Sequence, residues 1–252
     1  MLKVMRARLN QGQKTIKFPK GNVIMPERFR GLPGVDNKKC SEACNECQKK
    51  CPTGAVLLKD GKILVDLGKC LFCLDCLEAC PQGAISFSKD YRLAARKRED
   101  LIYDGTVLKL AAQLDKKMRS IFGRSLKLRQ VSAGGCNGCE LDTNVLNTIV
   151  FDLGRFGIQF VASPRHADGI LVTGPVTQNM ELALKKTYEA ISRPKIVIAV
   201  GACAISGGPY IDHEEARSGA PTVLPVDLYI PGCPPHPLTI LDGMLRLLGK
   251  IK

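Results

Sequence analysis

The sequence predicts an α/β protein in two parts: a small cysteine-rich unit, then a three-layer domain with helices on both faces of a parallel sheet. Three observations predict it. Short β-rich runs alternate with helical patterns from residue 126 onward, the order that builds a parallel sheet. Residues 40–88 repeat one pattern twice, a cysteine cluster followed by Pro-x-Gly-Ala and an apolar pair. All twelve cysteines fall into three groups of four, two in the repeat and one spread over the second part. A length of 252 residues with 45% apolar content suffices for two such domains.

The elements follow in order. Residues 1–39 form a basic arm interrupted by Pro19, Pro26, Gly31, Pro33 and Gly34, expected to be extended rather than helical. Residues 40–90 are the duplicated unit, whose halves have little core beyond a metal site. From 91 to 125 a basic, charged pattern with Leu93, Leu101, Leu108, Leu110, Ala111, Leu114 and Met118 predicts a linker carrying a helix. In 126–252 strands are expected at 126–131, 158–162, 169–172, 195–200 and 228–230. Helices are expected near 142–152, 181–192 and 237–249, which together make a flavodoxin-like three-layer domain.

The net charge of +13 is concentrated outside the cysteine regions: residues 1–39 carry 10 basic and 2 acidic groups, and residues 91–135 carry 11 and 4. Such segments suit nucleic acid, anionic headgroups or an acidic protein. Aromatics are only 5% of the chain and are not interleaved with the basic runs, so nucleic acid is not expected as a partner. No run approaches the roughly 20 apolar residues of a membrane span. With no export signal, twelve cysteines imply a reducing compartment and metal ligation rather than a disulfide scaffold.

Cys40, Cys44, Cys47 and Cys51 precede Pro52, and Cys70, Cys73, Cys76 and Cys80 precede Pro81. The second is a C-x2-C-x2-C-x3-C-P run. Three thiolates on a tight turn can each reach an iron corner of a 4Fe-4S cluster, while the fourth points to the neighbouring cluster. Ligation is therefore expected to cross, with Cys40, Cys44, Cys47 and Cys80 on one cluster and Cys51, Cys70, Cys73 and Cys76 on the other. The block resembles bacterial-type double-cluster ferredoxins over its whole length. It departs from them in one respect, three residues between Cys40 and Cys44 where two are usual. That residue should bulge the loop, or else the first cluster is altered or lost. Structural zinc prefers two separated C-x2-C pairs and fits these triplets poorly.

Cys136, Cys139, Cys203 and Cys233 each follow an expected strand. The carboxyl ends of strands in an open α/β sheet share one edge, so these four can converge on a third 4Fe-4S cluster. Neighbouring glycines allow tight loops and backbone N–H groups aimed at sulfur. The domain resembles the small subunit of nickel-iron hydrogenases and the related complex I subunit that holds its terminal cluster. The resemblance rests on Val172-Thr173-Gly174-Pro175-Val176, Gly201-Ala202-Cys203 and Ile230-Pro231-Gly232-Cys233-Pro234-Pro235. Complex I subunits carry adjacent cysteines at the first ligand position, whereas Cys136-x2-Cys139 has the hydrogenase spacing. The domain is most similar to the energy-converting, membrane-bound group that includes formate hydrogenlyase. Pro26-Glu27-Arg28-Phe29-Arg30-Gly31 resembles the lead-in of ferredoxin-type subunits in such complexes, so the chain looks like a fusion of two usually separate subunits.

The resemblance implies that Glu140 is linked to proton exchange with the active site; the alternative is a carboxylate favoured by the dipole of the following helix. His236 could hydrogen-bond cluster sulfur or contact a partner, and His166 and His213 form no catalytic constellation with it. No Walker or dinucleotide fingerprint is present, nor the second C-x2-C pair needed to hold nickel. The resemblance implies an electron-transfer subunit with three 4Fe-4S clusters, peripheral on the cytoplasmic face of a membrane. Its implied partners are a nickel-iron hydrogenase-type large subunit, a membrane-embedded subunit of a complex I-like module, and a donor such as ferredoxin or a dehydrogenase subunit. Two alternatives stay open: the same role in a quinone or sulfur-compound oxidoreductase, and a cluster- or zinc-containing nucleic-acid-binding protein.

Overall fold

The computed structural model describes residues 2–40 and 44–251. The extra residue between Cys40 and Cys44, and the bulge expected of it, lie outside the described residues. In chain order the elements are α1 (Leu2–Gln11), β1 (Pro33–Val35), α2 (Glu46–Lys50), β2 (Val56–Lys59), β3 (Lys62–Asp66), α3 (Asp75–Glu78), β4 (Ile85–Phe87) and β5 (Ile102–Tyr103). They continue with α4 (Lys116–Phe122), β6 (Leu126–Ser132), α5 (Gly138–Val145), β7 (Ile158–Phe160), β8 (Gly169–Thr173), α6 (Gln178–Ala190), β9 (Ile196–Val200), α7 (Ala202–Ser206), β10 (Leu228–Ile230) and α8 (Pro237–Leu247).

Strands β6 to β10 form a five-stranded sheet in the order β7-β6-β8-β9-β10, every neighbouring pair parallel. This is the doubly wound order of flavodoxin-type folds. All five residues of β8 and of β9 are buried, as expected for strands covered on both faces. Alternation divides their side chains between two cores. Ile170, Val172, Val197 and Ala199 pack with Leu184 of α6 and Ala204 and Ile205 of α7. Leu171, Ile196, Ile198 and Val200 pack with Leu146 and the apolar residues of α8. The first core continues into the cysteine-rich unit through Ala55, Val56, Ile63, Val65 and Ile85, so the two parts share one interior.

In that unit β1 pairs antiparallel with β4, and β2, β3 and β5 form a second antiparallel sheet. β5 comes from the segment 91–125, which was expected to be a helical linker. Within that segment the only α-helix is α4, and its apolar residues do not form one stripe: Leu93 and Leu101 enter the first core, Ala111 and Leu114 the second. Ala95 exchanges both backbone hydrogen bonds with Tyr229, at 3.0 and 2.9 Å, which covers the β10 edge of the sheet. α8 is buried along its whole length, with the sheet, the arm and this segment all contributing to the core around it. A Cβ at Gly243 would lie 2.7 Å from Ala94 Cβ, so glycine permits this approach. The Asp242 and Arg246 charges inside α8 are paired one turn apart at 2.7 Å, as buried charges must be.

Two further differences concern helices. The arm opens with α1, because every interrupting proline and glycine considered in it lies beyond Gln11; α1 buries none of its residues. α5 covers 138–145 rather than 142–152. Ile149 and Val150, beyond its end, are exposed, and their carbonyls accept hydrogen bonds from Thr15 and Ile16 of the arm. Among the described residues no helix is long and apolar enough to cross a membrane.

Candidate metal centres

The two halves of the cysteine-rich unit repeat down to single atoms. In each, the cysteine before proline is followed by a glycine at positive φ, Gly54 at 61° and Gly83 at 62°. That conformation turns the next N–H back on the thiol: Ala55 N–H donates to Cys51 Sγ and Ala84 N–H to Cys80 Sγ, each at 3.2 Å. The thiols group across the halves. Cys80 acts electrostatically on Cys40 and Cys47, which also feel Cys44, whereas Cys51 acts on Cys70 and Cys76, which also feel Cys73.

Burial is the first reason Cys40, Cys47, Cys70 and Cys76 resist ionisation, and neighbouring sulfur adds to it. Cys70 is pushed up to about 12 and Cys76 to about 11. Cys51, Cys70, Cys73 and Cys76 line a small enclosed cavity whose other walls include Val56, Val65, Ile85 and Phe87. Phe72 N–H donates to Cys70 Sγ at 3.3 Å. Thiols that are costly to ionise alone, converging on an apolar cradle with N–H groups on sulfur, suit a group that supplies positive iron.

The last four cysteines come from three strand ends. Cys136 follows β6, Cys139 sits in the first turn of α5, Cys203 lies in α7 after β9, and Cys233 follows β10. They converge as the topology requires. Cys139 is pushed well up by burial first, then by Cys203, Glu140, Cys233 and Cys136; Cys203 reaches about 11 by burial, Cys233 and Cys136. Gly201, at φ 90°, is required at this edge, because a Cβ there would lie 2.5 Å from Cys139 Sγ. Among the described residues no three His, Cys, Asp or Glu side chains are grouped for a single metal ion. Four thiols around a larger iron-sulfur group are a different donor arrangement, and this one fits it.

The three groups form a series. Cys76 feels Cys47 across the first junction, and Cys233 feels Cys73 across the second. A cleft of about 290 Å³ at the second junction is lined by Cys73, Cys233, Arg28, Phe29, Arg30 and His236, among others. The turn leading to Cys70 is fixed to the second domain. Arg98 donates to both carboxylate oxygens of Asp66 at 2.8 and 2.6 Å, Asp66 accepts from Gly68 N–H at 2.9 Å, and Ser206 Oγ of α7 donates to the Gly68 carbonyl at 2.8 Å.

Glu140 is buried, beside Cys139 in the first turn of α5, and accepts a hydrogen bond from Thr173 Oγ1 at the end of β8. It also lines a solvent-open groove with Arg129, Asn137 and Asn144. Thr173 and Gly201 serve the site without having been singled out from the sequence; the Val172-Thr173-Gly174 and Gly201-Ala202-Cys203 motifs marked where they stand but not what they touch. His236 caps α8, its Nδ1 accepting from Leu238 N–H at 3.1 Å, and burial pushes its pKa down. Neutral imidazole with Nδ1 as acceptor carries its proton on Nε2. His166 and His213 are exposed and lie in a short 3₁₀ turn and a loop.

Three thiol groups on a duplicated unit and a parallel-sheet edge define an iron-sulfur oxidoreductase subunit. The family described as NADH ubiquinone oxidoreductase, 20 Kd subunit, matches residues 136–247, and the 4Fe-4S dicluster domain matches residues 39–85. The chain is 40% identical over 142 residues to "Probable membrane-bound hydrogenase subunit mbhJ" of Pyrococcus furiosus, covering 55% of this chain and 85% of that protein. It is 41% identical over 149 residues to formate hydrogenlyase subunit 7 of Escherichia coli, covering 59% of this chain and 57% of that protein. A subunit of the NADH-quinone oxidoreductase of Clostridium beijerinckii is 46% identical over 114 residues, covering 45% of this chain and 68% of that protein. The chain belongs to the 20 kDa subunit family of NADH ubiquinone oxidoreductase and carries a 4Fe-4S dicluster domain ahead of the family's own region.

Proposed function

We propose that the chain is a three-cluster electron wire in a membrane-associated nickel-iron hydrogenase complex, passing electrons between a soluble donor and the active site of a partner large subunit. Each 4Fe-4S cluster, when bound, supplies one-electron uptake and release. Cys40, Cys44, Cys47 and Cys80 would hold the first, Cys51, Cys70, Cys73 and Cys76 the second, and Cys136, Cys139, Cys203 and Cys233 the third. The order of the wire is first, second, third, and the observation that carries it is that Cys47 and Cys76 lie on the packed helices α2 and α3 while Cys73 and Cys233 line one cleft. The partner's metal faces the third cluster, where Cys136 and Cys233 are exposed. Glu140, held by Thr173 at the groove, keeps a proton-exchanging carboxyl beside that face.

The hydrogenase assignment is supported by the Cys136-x2-Cys139 spacing and by the similarity to the two hydrogenase-type relatives. Proton reduction or hydrogen oxidation follows in the partner. The basic arm 1–39, with its exposed helix α1, and the basic segment 91–125 dock on the large subunit and on a membrane-embedded subunit, which makes the chain peripheral on the inner face of the membrane. A second reading, a complex I-like quinone oxidoreductase, is favoured by the 46% identity to the Clostridium beijerinckii protein.

Purification of the complex separates the two. Nickel together with hydrogen-dependent viologen reduction is expected, and absence of both would refute the hydrogenase reading. The wire is tested separately by Cys136→Ser. Electron transfer to the partner's metal should be lost while the EPR signals of the first and second clusters persist; loss of those signals instead would contradict the ligand sets.

A further inference from the structure

The segment 26–31 enters the fold as a connector between the arm and β1, yet its fixation is unusually complete. Lys89 Nζ donates to the carbonyls of Pro26, Glu27 and Phe29. Phe29 N–H closes a turn on Pro26 O at 3.0 Å. Gly31 N–H donates to Ser88 O at 2.8 Å and Leu32 N–H to Asp90 O at 2.9 Å. A side chain at Gly31 would collide with the Asp90 carbonyl, so only glycine allows the strand to lie so close. The backbone that presents Phe29 and Arg30 is thus anchored on both sides.

What these two residues touch is the junction itself. Arg30 Nη1 donates to the carbonyls of Phe72 and Cys73, at 2.9 and 3.3 Å, on the loop that carries the Cys73 thiol. The Phe29 ring meets the His236 ring edge to face, centroids 5.3 Å apart at 72°. His236 is fixed in turn by its cap on α8, three residues after Cys233. One dipeptide therefore bridges the Cys73 loop and the Cys233 loop, whose thiols are near enough to act on each other. A guanidinium is always charged and planar, and here it lies in the cleft between the two thiol groups.

We propose that Arg30 is a positioning residue for electron transfer between the second and third clusters: it holds the Cys73 loop at the junction and places a fixed positive charge there, while Phe29 holds the Cys233 loop through His236. The proposal rests on the three-cluster reading. Reduction adds negative charge to a cluster, so a neighbouring cation favours the reduced form. Removing it lowers the potential of the cluster bound through Cys73.

The test uses the purified complex, or the full cluster-loaded chain, with EPR-monitored redox titration, EPR of the magnetic interaction between reduced second and third clusters, and iron analysis. Arg30→Gln keeps a hydrogen-bond donor and removes the charge. It is expected to shift the second cluster's reduction equilibrium about tenfold towards the oxidised form, about 59 mV for a one-electron couple, with about twelve irons retained. Arg30→Lys should restore the potential. Phe29→Leu should weaken the magnetic interaction and leave the second cluster's potential in place. An unchanged potential in Arg30→Gln, or one that Arg30→Lys fails to restore, overturns the charge role. An unchanged interaction in Phe29→Leu overturns the positioning role, and this variant decides the matter if Arg30→Gln loses iron. A wild-type chain with only eight irons would instead overturn the three-cluster reading on which the proposal stands.

Discussion

The two halves of the duplicated unit share a turn and differ in surroundings. Gly54 and Gly83 have the same φ within 1°, and the N–H groups they turn back reach Cys51 and Cys80 at the same 3.2 Å. Around the turns the likeness ends. Thr53 is buried and donates to Lys69 O at 2.8 Å, whereas Gln82 at the same place in the second half is exposed. Cys70 and Cys76 line an apolar cavity whose leading turn is tied to α7 by Asp66, Arg98 and Ser206, whereas in the first half it is the helix α2 that buries its cysteine, Cys47, as α3 does not. The duplicated sequence sets the local ligand geometry; what each half packs against sets its exposure. On the proposed wire, the first set, at the far end from the third, is the entry for a donor and the second is the relay between them.

The largest effects should test the crossing. Cys51→Ser is expected to remove the second cluster although Cys51 belongs to the first run, and Cys80→Ser to remove the first; a loss of about four irons in each case, with the EPR signal of the other cluster intact, is the outcome to measure. Loss of the cluster of a residue's own run would refute crossed ligation. A pH dependence comes next, in the cluster-free chain. Cys70 at about 12 and Cys76 at about 11 lie above the thiol value of 9.0. Groups with raised folded pKa values contribute stability that is present below pH 9 and is lost as the pH rises through 11 to 12. Denaturant midpoints should fall over that range, and Cys70→Ala should flatten the fall more than Cys40→Ala. Equal effects would mean that the two sets are equally enclosed. Arg98→Ala should follow, costing about 2–3 kcal/mol in chemical denaturation, because the buried Asp66 carboxylate loses its charged partner while Arg98 itself is partly solvated.

How much of this was legible in the sequence depends on how local the cause is. The repeated cysteine turns could be read because a C-x2-C-x2-C run encodes its own local geometry, and the five strands because fully covered strands such as β8 and β9 are continuous apolar runs. The segment 91–125 carries the expected helix, α4, but no single stripe, because its apolar residues are spaced as on a helix while serving two cores, Leu101 in one and Leu114 in the other. Thr173 as the partner of Glu140 spans 33 residues, and Arg30 on the Cys73 loop spans 43, so neither pairing has a spacing signature. The glycine at 201 is explained by its φ of 90° and by the thiol of Cys139 that the fold brings against it, neither of which has a signature in the sequence.

The smallest effects address the shared turn. A Cβ at Gly54 or Gly83 would meet nothing within 4 Å, so an alanine there is opposed by its backbone conformation alone. Left-handed backbone costs an L-residue about 1–2 kcal/mol, and Gly54→Ala and Gly83→Ala should each lower stability by about that much. Because φ is 61° in one and 62° in the other, the two losses should agree within about 0.5 kcal/mol in denaturant unfolding of the loaded chain. Iron content should hold in both. A much larger loss at Gly54 would mean that the enclosed surroundings of the second cluster reach into the turn, so that environment and ligand geometry are not separable. Gly201→Ala supplies the contrast, since φ 90° is there combined with a clash at 2.5 Å against Cys139 Sγ, and it should displace the third cluster where the other two substitutions leave theirs bound.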